Sequence, residues 1–332
     1  MKNLCTGFRS REVIQMVFRG VKVIDFHVHF PASYRGTSDS GPSRLLEKYG
    51  AEKLKLLREQ SRQYRDEWRW VYGFDPPETE THTDEEQAER WIKDIDKKGV
   101  ERVNFVTGGG NDNLAKIIKM YSDRFTGFAH HNMFSEDAPA ELERAVKELG
   151  LKGYKIIASS QTRLIDDKST YPFWEMVDKL ELPVVIHFGV LGGGGSIPSG
   201  DLRNMNPMIL WEIAKMFPNI KFVVPHFGAG YLRELLLLCW FCRNVFIDTS
   251  GSNQWMTWMP FELDLKSLFR RVIESVGPDR IIFGTDSSYF PRGFSVDYLE
   301  EQLKVCRLLR LEESTIEKIF YRNAAKLLKL ET

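Results

Sequence analysis

Two histidines two positions apart, His27 and His29, are the first residues of this chain that suggest metal chemistry. They end the run Val21–Phe30, VKVIDFHVHF, whose β-branched and aromatic residues predict a strand. Side chains two positions apart in a strand share one face and lie about 7 Å apart. Two imidazoles placed in this way can bind one metal ion. On this pair alone, two buried core histidines without a chemical role are the alternative.

Strand and helix signals alternate through the rest of the chain. After a predicted helix, Asp84–Lys98, that ends at Gly99, strands begin near residues 102, 125, 153, 183, 221, 244 and 280, and a helix follows each. The strands are almost continuously apolar, as parallel strands covered on both faces are. Eight such units predict an α/β fold of the (β/α)8 TIM-barrel type, with a doubly wound open sheet as the alternative.

The chain is expected to form a single domain over its 332 residues, because barrels of this kind reach that length. Residues 31–83 interrupt the alternation with a loop-like stretch, a charged helical stretch and a group of aromatic residues that includes Trp68 and Phe74. We interpret 31–83 as a helical insertion after the first strand that caps the barrel. Its aromatic side chains either line a substrate pocket or attach the insertion to the barrel.

Reactive side chains of such barrels lie at the C-terminal ends of the strands. Besides the first pair, those positions hold Lys155 on the fourth strand, His187 on the fifth, His226 on the sixth and Asp286 after the eighth. Four of the seven histidines therefore fall at three strand ends. Imidazoles and a carboxylate suit Zn²⁺, Mn²⁺ or Fe²⁺. Such an ion can activate a bound water by lowering its pKa to about 7.

These residues stand in motifs that resemble the amidohydrolase superfamily. The motifs are D-x-H-x-H at Asp25–His29, V-V-I-H ending at His187, V-P-H-F-G around His226, F-G-T-D at Phe283–Asp286, and the closing segment Ile319–Leu328. The chain is most similar to the amidohydrolase-related (amidohydrolase 2) branch. That branch includes lactonases such as pyrone-dicarboxylate hydrolase and decarboxylases such as aminocarboxymuconate semialdehyde decarboxylase.

The resemblance implies that His27, His29, His187 and Asp286 hold one divalent metal ion, with Zn²⁺ first and Mn²⁺ or Fe²⁺ as alternatives. It implies that His226 stays off the metal and acts as an acid, a base or an oxyanion-binding group. Asp286 would also move a proton. Lys155 is either a carbamate that bridges two ions, as in two-metal members, or a contact to substrate or structure beside a single ion, and the one-ion case comes first.

Two arginines in loops on the functional face, Arg163 and Arg292, are candidate substrate-binding residues. A guanidinium can bind a carboxylate through two parallel hydrogen bonds.

The expected function is a metal-dependent hydrolase of a small anionic lactone, ester or amide, in which a metal-activated water attacks the carbonyl carbon. The alternative is a non-oxidative decarboxylase, a carboxy-lyase that uses the same ion. A third hypothesis is a non-catalytic binding barrel. It predicts the loss of some metal-binding residues, whereas the set here is complete.

The amino-acid composition limits the classes of molecule that the protein is expected to bind. The 46 basic and 46 acidic residues give a formal net charge of zero, which predicts a small-molecule substrate rather than a nucleic acid. No apolar run reaches the roughly 20 residues of a membrane helix, and Met1–Gly20 lacks the apolar segment of a signal peptide. The four cysteines fit a reduced, cytoplasmic setting. The unusually apolar Leu235–Phe241 suggests a homodimer.

Overall fold

A computed structural model describes residues 20–33, 42–189 and 200–330. The N-terminal segment and residues 34–41 of the predicted insertion therefore lie outside the described part. The strands are β1 (Ile24–His29), β2 (Arg102–Thr107), β3 (Phe125–Gly127), β4 (Tyr154–Ile157), β5 (Pro183–His187), β6 (Lys221–Val224), β7 (Val245–Asp248) and β8 (Ile281–Ile282).

The α-helices of the described residues alternate with these strands or flank them. They are α1 (Pro42–Tyr49), α2 (Ala51–Tyr72), α3 (Asp84–Lys98), α4 (Asn111–Met120), α5 (Ala138–Lys147), α6 (Tyr171–Lys179), α7 (Trp211–Met216), α8 (Leu232–Phe241), α9 (Leu265–Val276), α10 (Val296–Leu308), α11 (Glu313–Glu317) and α12 (Asn323–Leu327).

The strands pair in parallel in two runs, β1 to β3 and β4 to β8. Backbone hydrogen bonds join the runs at both ends. Ala129 N donates to Gly153 O (2.8 Å) and Lys155 N to Ala129 O (2.9 Å), which links the β3 end to β4. His29 N donates to Ser287 O (2.8 Å), which links β1 to the segment after β8. The strands therefore follow one another around a ring, and the predicted (β/α)8 barrel is confirmed.

Two of the strands are shorter than the sequence indicates. The strands predicted to begin near residues 125 and 280 pair regularly only over the three residues of β3 and the two residues of β8. The residues beyond them reach their neighbours through single bridges, at Ala129 and Ser287, rather than through a continuous ladder. The side chains after β8 are consequently presented from irregular backbone.

Helix α3 shows how local signals set the bounds of an element. Thr83 accepts a hydrogen bond from Glu86 N (3.2 Å) and Glu86 accepts one from Thr83 N (2.8 Å), which completes a capping box at the start. Gly99, at φ +69°, ends the helix in the left-handed conformation. The buried face, with Trp91 and Ile95, packs into the core. The predicted bounds of this helix are confirmed.

Helices α1 and α2 follow β1, and Gly50, at φ +73°, separates them. Where one helical stretch was expected there are two, because the left-handed backbone at Gly50 interrupts the helical hydrogen-bond ladder. The role of 31–83 as a cap and the single-domain division stay predictions. Among the described helices, none is long and apolar enough to cross a membrane.

Gly153, directly before β4, has no room for a side chain. An added Cβ would lie 2.7 Å from the backbone O of Pro183 and 2.7 Å from two ring atoms of Phe128. We expect Gly153→Ala to lower the free energy of unfolding by about 1–3 kcal/mol, because neither neighbour can yield easily. Urea unfolding followed by circular dichroism measures the change.

Gly127→Ala is the matched comparison. Its added Cβ would meet the methyl ends of Ile118 and Leu114, which are flexible side chains. We expect a smaller loss than for Gly153→Ala. The reverse order would contradict the packing argument.

Candidate active site

A cavity of about 1360 Å³ lies at the C-terminal ends of the strands. Its wall includes six of the sequence-predicted site residues, which come from β1, β4, β5, the end of β6 and the loop after β8: His29, Lys155, His187, His226, Asp286 and Arg292. The segment that contains α2 also contributes, with Trp68 and Arg69 among its lining residues. His27 lies directly behind the wall and is fully buried.

Possible metal-ligand atoms of three residues lie close together beside this cavity. His29 Nε2 lies 3.1 Å from Asp286 Oδ1, and His27 Nε2 lies 3.7 Å from the same oxygen. One ligand atom from each of the three residues lies within 4.8 Å of the others. The backbone holds them there, because Asp286 N donates to His27 O (2.8 Å). A single divalent ion could be bound by this group.

The second ring nitrogen of each histidine is already occupied. His27 Nδ1 lies 2.6 Å from Asp248 Oδ2, and His29 Nδ1 lies 2.7 Å from Thr107 Oγ1. An ionised carboxylate only accepts, so the proton of the neutral His27 ring is on Nδ1 and the lone pair is on Nε2. Burial, together with the charge of Lys155, lowers the pKa of His27 well below its ordinary value, which keeps the ring neutral.

His187 and His226 form a second pair beside the first. His226 Nδ1 lies 3.0 Å from the Ser250 carbonyl O, and His226 Nε2 lies 3.1 Å from His187 Nδ1. In the neutral His226 ring the proton is therefore on Nδ1, so Nε2 accepts from His187. That bond leaves the Nε2 of His187 as its ligand atom. His187 is not part of the 4.8 Å group, but His226 connects it to that group through ring contacts of 4.8 Å with His187 and 5.2 Å with His27.

Lys155 is buried next to the metal-type donors. Its Nζ lies 3.2 Å from His27 Nε2. Burial lowers the pKa of Lys155 to about 8, against the opposing charges of Asp286 and Asp248. The Lys155 ammonium group thus lies beside the lone pair of His27 Nε2, in the space that a bound metal ion would use. The choice between a bridging carbamate and a contact beside one ion stays open.

Backbone strain marks two of the predicted residues. His226 has φ +57° and Asp286 has φ +60°, a region that side chains other than glycine seldom adopt. Phe227 and Ala229, next to His226, are also left-handed, at φ +50° and +45°. Such strain is often retained where it places a functional side chain. Here it turns both residues at the ends of their strands, where they line the cavity.

Several residues that support the site were missed or left undecided by sequence reasoning. Asp25, the first residue of the D-x-H-x-H motif, is not with the donors: its Oδ1 accepts from Thr285 N (2.9 Å) and from His27 N (3.2 Å). Burial raises the pKa of Asp25 to about 8. Asp248 and Thr107 orient the two histidines. Their positions as the last residues of β7 and β2 were the available signal.

The two candidate arginines lie at different positions relative to the cavity. Arg292 lines the cavity, and its Nη2 donates to Asp286 O (3.0 Å). Arg163 is not among the lining residues. Its guanidinium lies over Phe134, at 4.9 Å, and 3.7 Å from Asp167. Only Arg292 is positioned next to the metal-type donors.

The donor set fits a divalent metal ion. Neutral imidazoles and an ionised carboxylate are ligands that Zn²⁺, Mn²⁺ and Fe²⁺ accept. Two effects act in opposite directions on the pKa of Asp286. Burial raises this pKa, but the hydrogen bond from His29 and the neighbouring imidazoles hold it well below the usual range. Asp248 behind His27 is the carboxylate–histidine arrangement that orients metal ligands.

Comparisons with known proteins agree with this chemistry. A family model described as Amidohydrolase matches residues 24–330. The gamma-resorcylate decarboxylase of Polaromonas sp. is 26% identical over 273 residues, which cover 69% of this chain and 78% of that protein.

Solved structures are similar over nearly the whole chain. The 5-carboxyvanillate decarboxylase from Sphingomonas paucimobilis has a TM-score of 0.61 at 19% identity, covering 94% of this chain and 100% of that one. A 5-carboxyvanillate decarboxylase from Novosphingobium aromaticivorans, solved with bound manganese, has a TM-score of 0.60 at 18% identity, covering 94% and 98%. At sequence identities of 19% and 18%, the structural similarity shows that the fold is shared and says nothing about the reaction.

The expectation of a hydrolase is wrong by these comparisons. The relatives with assigned reactions are mostly decarboxylases, which agrees with the alternative and not with the main expectation. The physical reason is that the histidines and Asp286 specify a cation, whereas the reaction depends on which bond of the substrate is held beside it.

Asp248→Asn tests the orientation of His27. The asparagine keeps an oxygen near His27 Nδ1 but loses the charge that makes the ring a better ligand. We expect the affinity for Mn²⁺ or Zn²⁺ to fall by roughly 10–100-fold, measured by competition with a chelator. Asp123→Asn, at an exposed position before β3, is the control. Equal metal affinities of the two variants would contradict the assignment.

Proposed function

The chain belongs to the amidohydrolase family of enzymes, and from that premise we propose that it is a metal-dependent carboxy-lyase that removes a carboxylate from a small aromatic acid as CO₂. The observation that carries the proposal is the alignment with a decarboxylase over two thirds of both chains, in a protein where His27, His29 and Asp286 converge in one cavity.

We assign His27, His29, His187 and Asp286 as the residues that hold the ion. The orientation of the first two by Asp248 and Thr107 supports this assignment. When bound, a divalent ion supplies positive charge that holds a substrate carboxylate and a neighbouring oxygen. The likeness to a manganese-containing structure favours Mn²⁺. The two or three imidazole donors favour Zn²⁺. Both ions therefore belong in the assays below.

The residues of the chain supply the proton. In decarboxylation the bond between the ring carbon and the carboxylate carbon breaks, CO₂ leaves, and the electron pair on the ring carbon takes up a proton. His226 and Asp286 both line the cavity, and the low pKa of Asp286 leaves His226 as the group that carries the proton. His226 is the proposed acid: its Nδ1 proton stays on the Ser250 carbonyl, so the proton for the ring carbon is one that Nε2 takes up from solvent, on a ring held next to the donors.

The size and charge of the cavity fit a small acid. Its volume of about 1360 Å³ exceeds that of a single ring, and Lys155 and Arg292 supply positive charge beside the acidic Asp286. Arg292 is the proposed contact to substrate oxygens. The homodimer stays a proposal supported by the exposed Trp240 and Leu237 on α8.

We expect the protein loaded with Mn²⁺ or Zn²⁺ to release CO₂ from 2,6-dihydroxybenzoate or 5-carboxyvanillate, and the metal-free protein to release none. Headspace CO₂ and chromatography of the ring product measure the reaction. His187→Ala should lose most of the bound metal, determined by elemental analysis, together with the activity. Hydrolysis of lactones or esters without CO₂ release from any ring acid would reject the proposal.

His226→Gln separates proton transfer from metal binding. The glutamine amide can still contact His187 Nδ1, so we expect the metal content to be retained. CO₂ release should fall by about 10²–10⁴-fold, the usual effect of losing a positioned acid. A variant that keeps both metal and full turnover would remove His226 from the reaction.

A further inference from the structure

Arg292 places a cation in the cavity wall. Among the described residues, no carboxylate lies within ion-pair distance of its guanidinium. Its one hydrogen bond there goes to a backbone carbonyl, that of Asp286, and its Nε is buried without a hydrogen-bond partner. A charge partly removed from water is costly unless a counter-ion is present.

Two aromatic rings lie close to the guanidinium. Its central carbon lies 5.3 Å from the ring centre of Phe74 and 4.9 Å from that of Tyr289. Glu78 also lines the cavity, but its carboxylate is bound by Arg90 through two hydrogen bonds. Contacts with aromatic rings leave the N–H groups of an arginine available, and the Nε of Arg292 has no hydrogen-bond partner, so an oxygen ligand such as a carboxylate can bind there.

A partly buried ion pair on α3, between Asp94 and Lys98, holds the backbone that carries Arg292. Lys98 Nζ lies 2.7 Å from Asp94 Oδ1 and donates to Arg292 O (3.1 Å) and Phe294 O (2.7 Å). Asp94 Oδ2 in turn accepts from Phe294 N (2.8 Å). The approach is so close that a Cβ on Gly293 would lie 2.5 Å from Asp94, and φ at Gly293 is +56°. One ion pair thus fixes three consecutive loop residues.

We propose that Arg292 is the counter-ion for a second carboxylate of the substrate, so that the substrate is an aromatic dicarboxylic acid, and that Asp94 and Lys98 are the positioning residues that hold this arginine. The inference rests on the proposed function, because the first carboxylate is the one lost as CO₂. The bond from Arg292 to the Asp286 backbone keeps the second subsite beside the metal-type donors.

The test uses two ligands that cannot be decarboxylated. One is 4-hydroxy-3-methoxy-5-nitrobenzoate, in which a nitro group replaces the labile carboxylate and one carboxylate remains. The other is 2-methoxy-6-nitrophenol, the same ring without that carboxylate. Dissociation constants are measured by calorimetry on the Mn²⁺-loaded full chain. We expect the carboxylate to improve binding by about 10–100-fold in the unmodified protein, the range for hydrogen bonds to charged groups.

Arg292→Met should remove this preference and leave the affinity for the nitrophenol unchanged. Lys98→Met should reduce the preference, and it should have no further effect in the Arg292→Met background, because its action passes through the arginine. Should Lys98→Met not fold, Asp94→Asn makes the same comparison while keeping an oxygen for Phe294 N. Lys93→Met, 72% exposed on the same helix, and Arg233→Met, 83% exposed on α8, are the controls.

A preference that is absent, or that survives Arg292→Met, overturns the subsite, and so does failure of both ligands to bind. Equal losses for both ligands in Lys98→Met would overturn the positioning role. The proposed function fails separately: an Arg292-dependent preference without CO₂ release from 5-carboxyvanillate would reject the carboxy-lyase and keep the subsite. Release of CO₂ without any such preference would do the opposite.

Discussion

The contact between the first strand and the segment after the last strand is the constraint on which the site depends. Asp25 and Thr285, 260 residues apart, are joined through the buried Asp25 carboxylate. The backbone bond between Asp286 and His27 continues this seam to the cavity. Closing the ring of strands is therefore the same event as bringing the carboxylate to the histidines, so fold and metal-type donor set are one structural unit.

The seam places charged and polar groups where burial works against ionisation. Burial raises the pKa of Asp25 and Asp248 and lowers that of Lys155. Each of these groups has a hydrogen-bond partner, which is the condition under which buried polar groups are tolerated. Burial and the charge of Lys155 keep His27 neutral, while Asp248 and Thr107 orient the two histidines so that the Nε2 atom of each lies towards Asp286.

A cavity of this kind does not dictate one reaction. The same histidines and carboxylate could hold an ion that activates water or one that holds a departing carboxylate. The donor motifs therefore could not rank a hydrolase against a decarboxylase, and the first ranking was wrong. We propose that the features that decide between the two reactions lie around the donors, in His226, the buried Lys155 and Arg292, all of which line the cavity.

The sequence by itself determined the order of strands and helices and pointed to the three residues, His27, His29 and Asp286, whose donor atoms converge. Thr83 and Gly99 bound α3 through local capping, and the histidines at strand ends follow from the alternation of strands and helices. Tertiary structure alone decided that Asp248, 221 residues from His27, orients it, and that Arg292 rather than Arg163 faces the cavity. Local patterns are encoded by neighbouring residues, whereas these contacts exist only after distant segments pack around a closed ring.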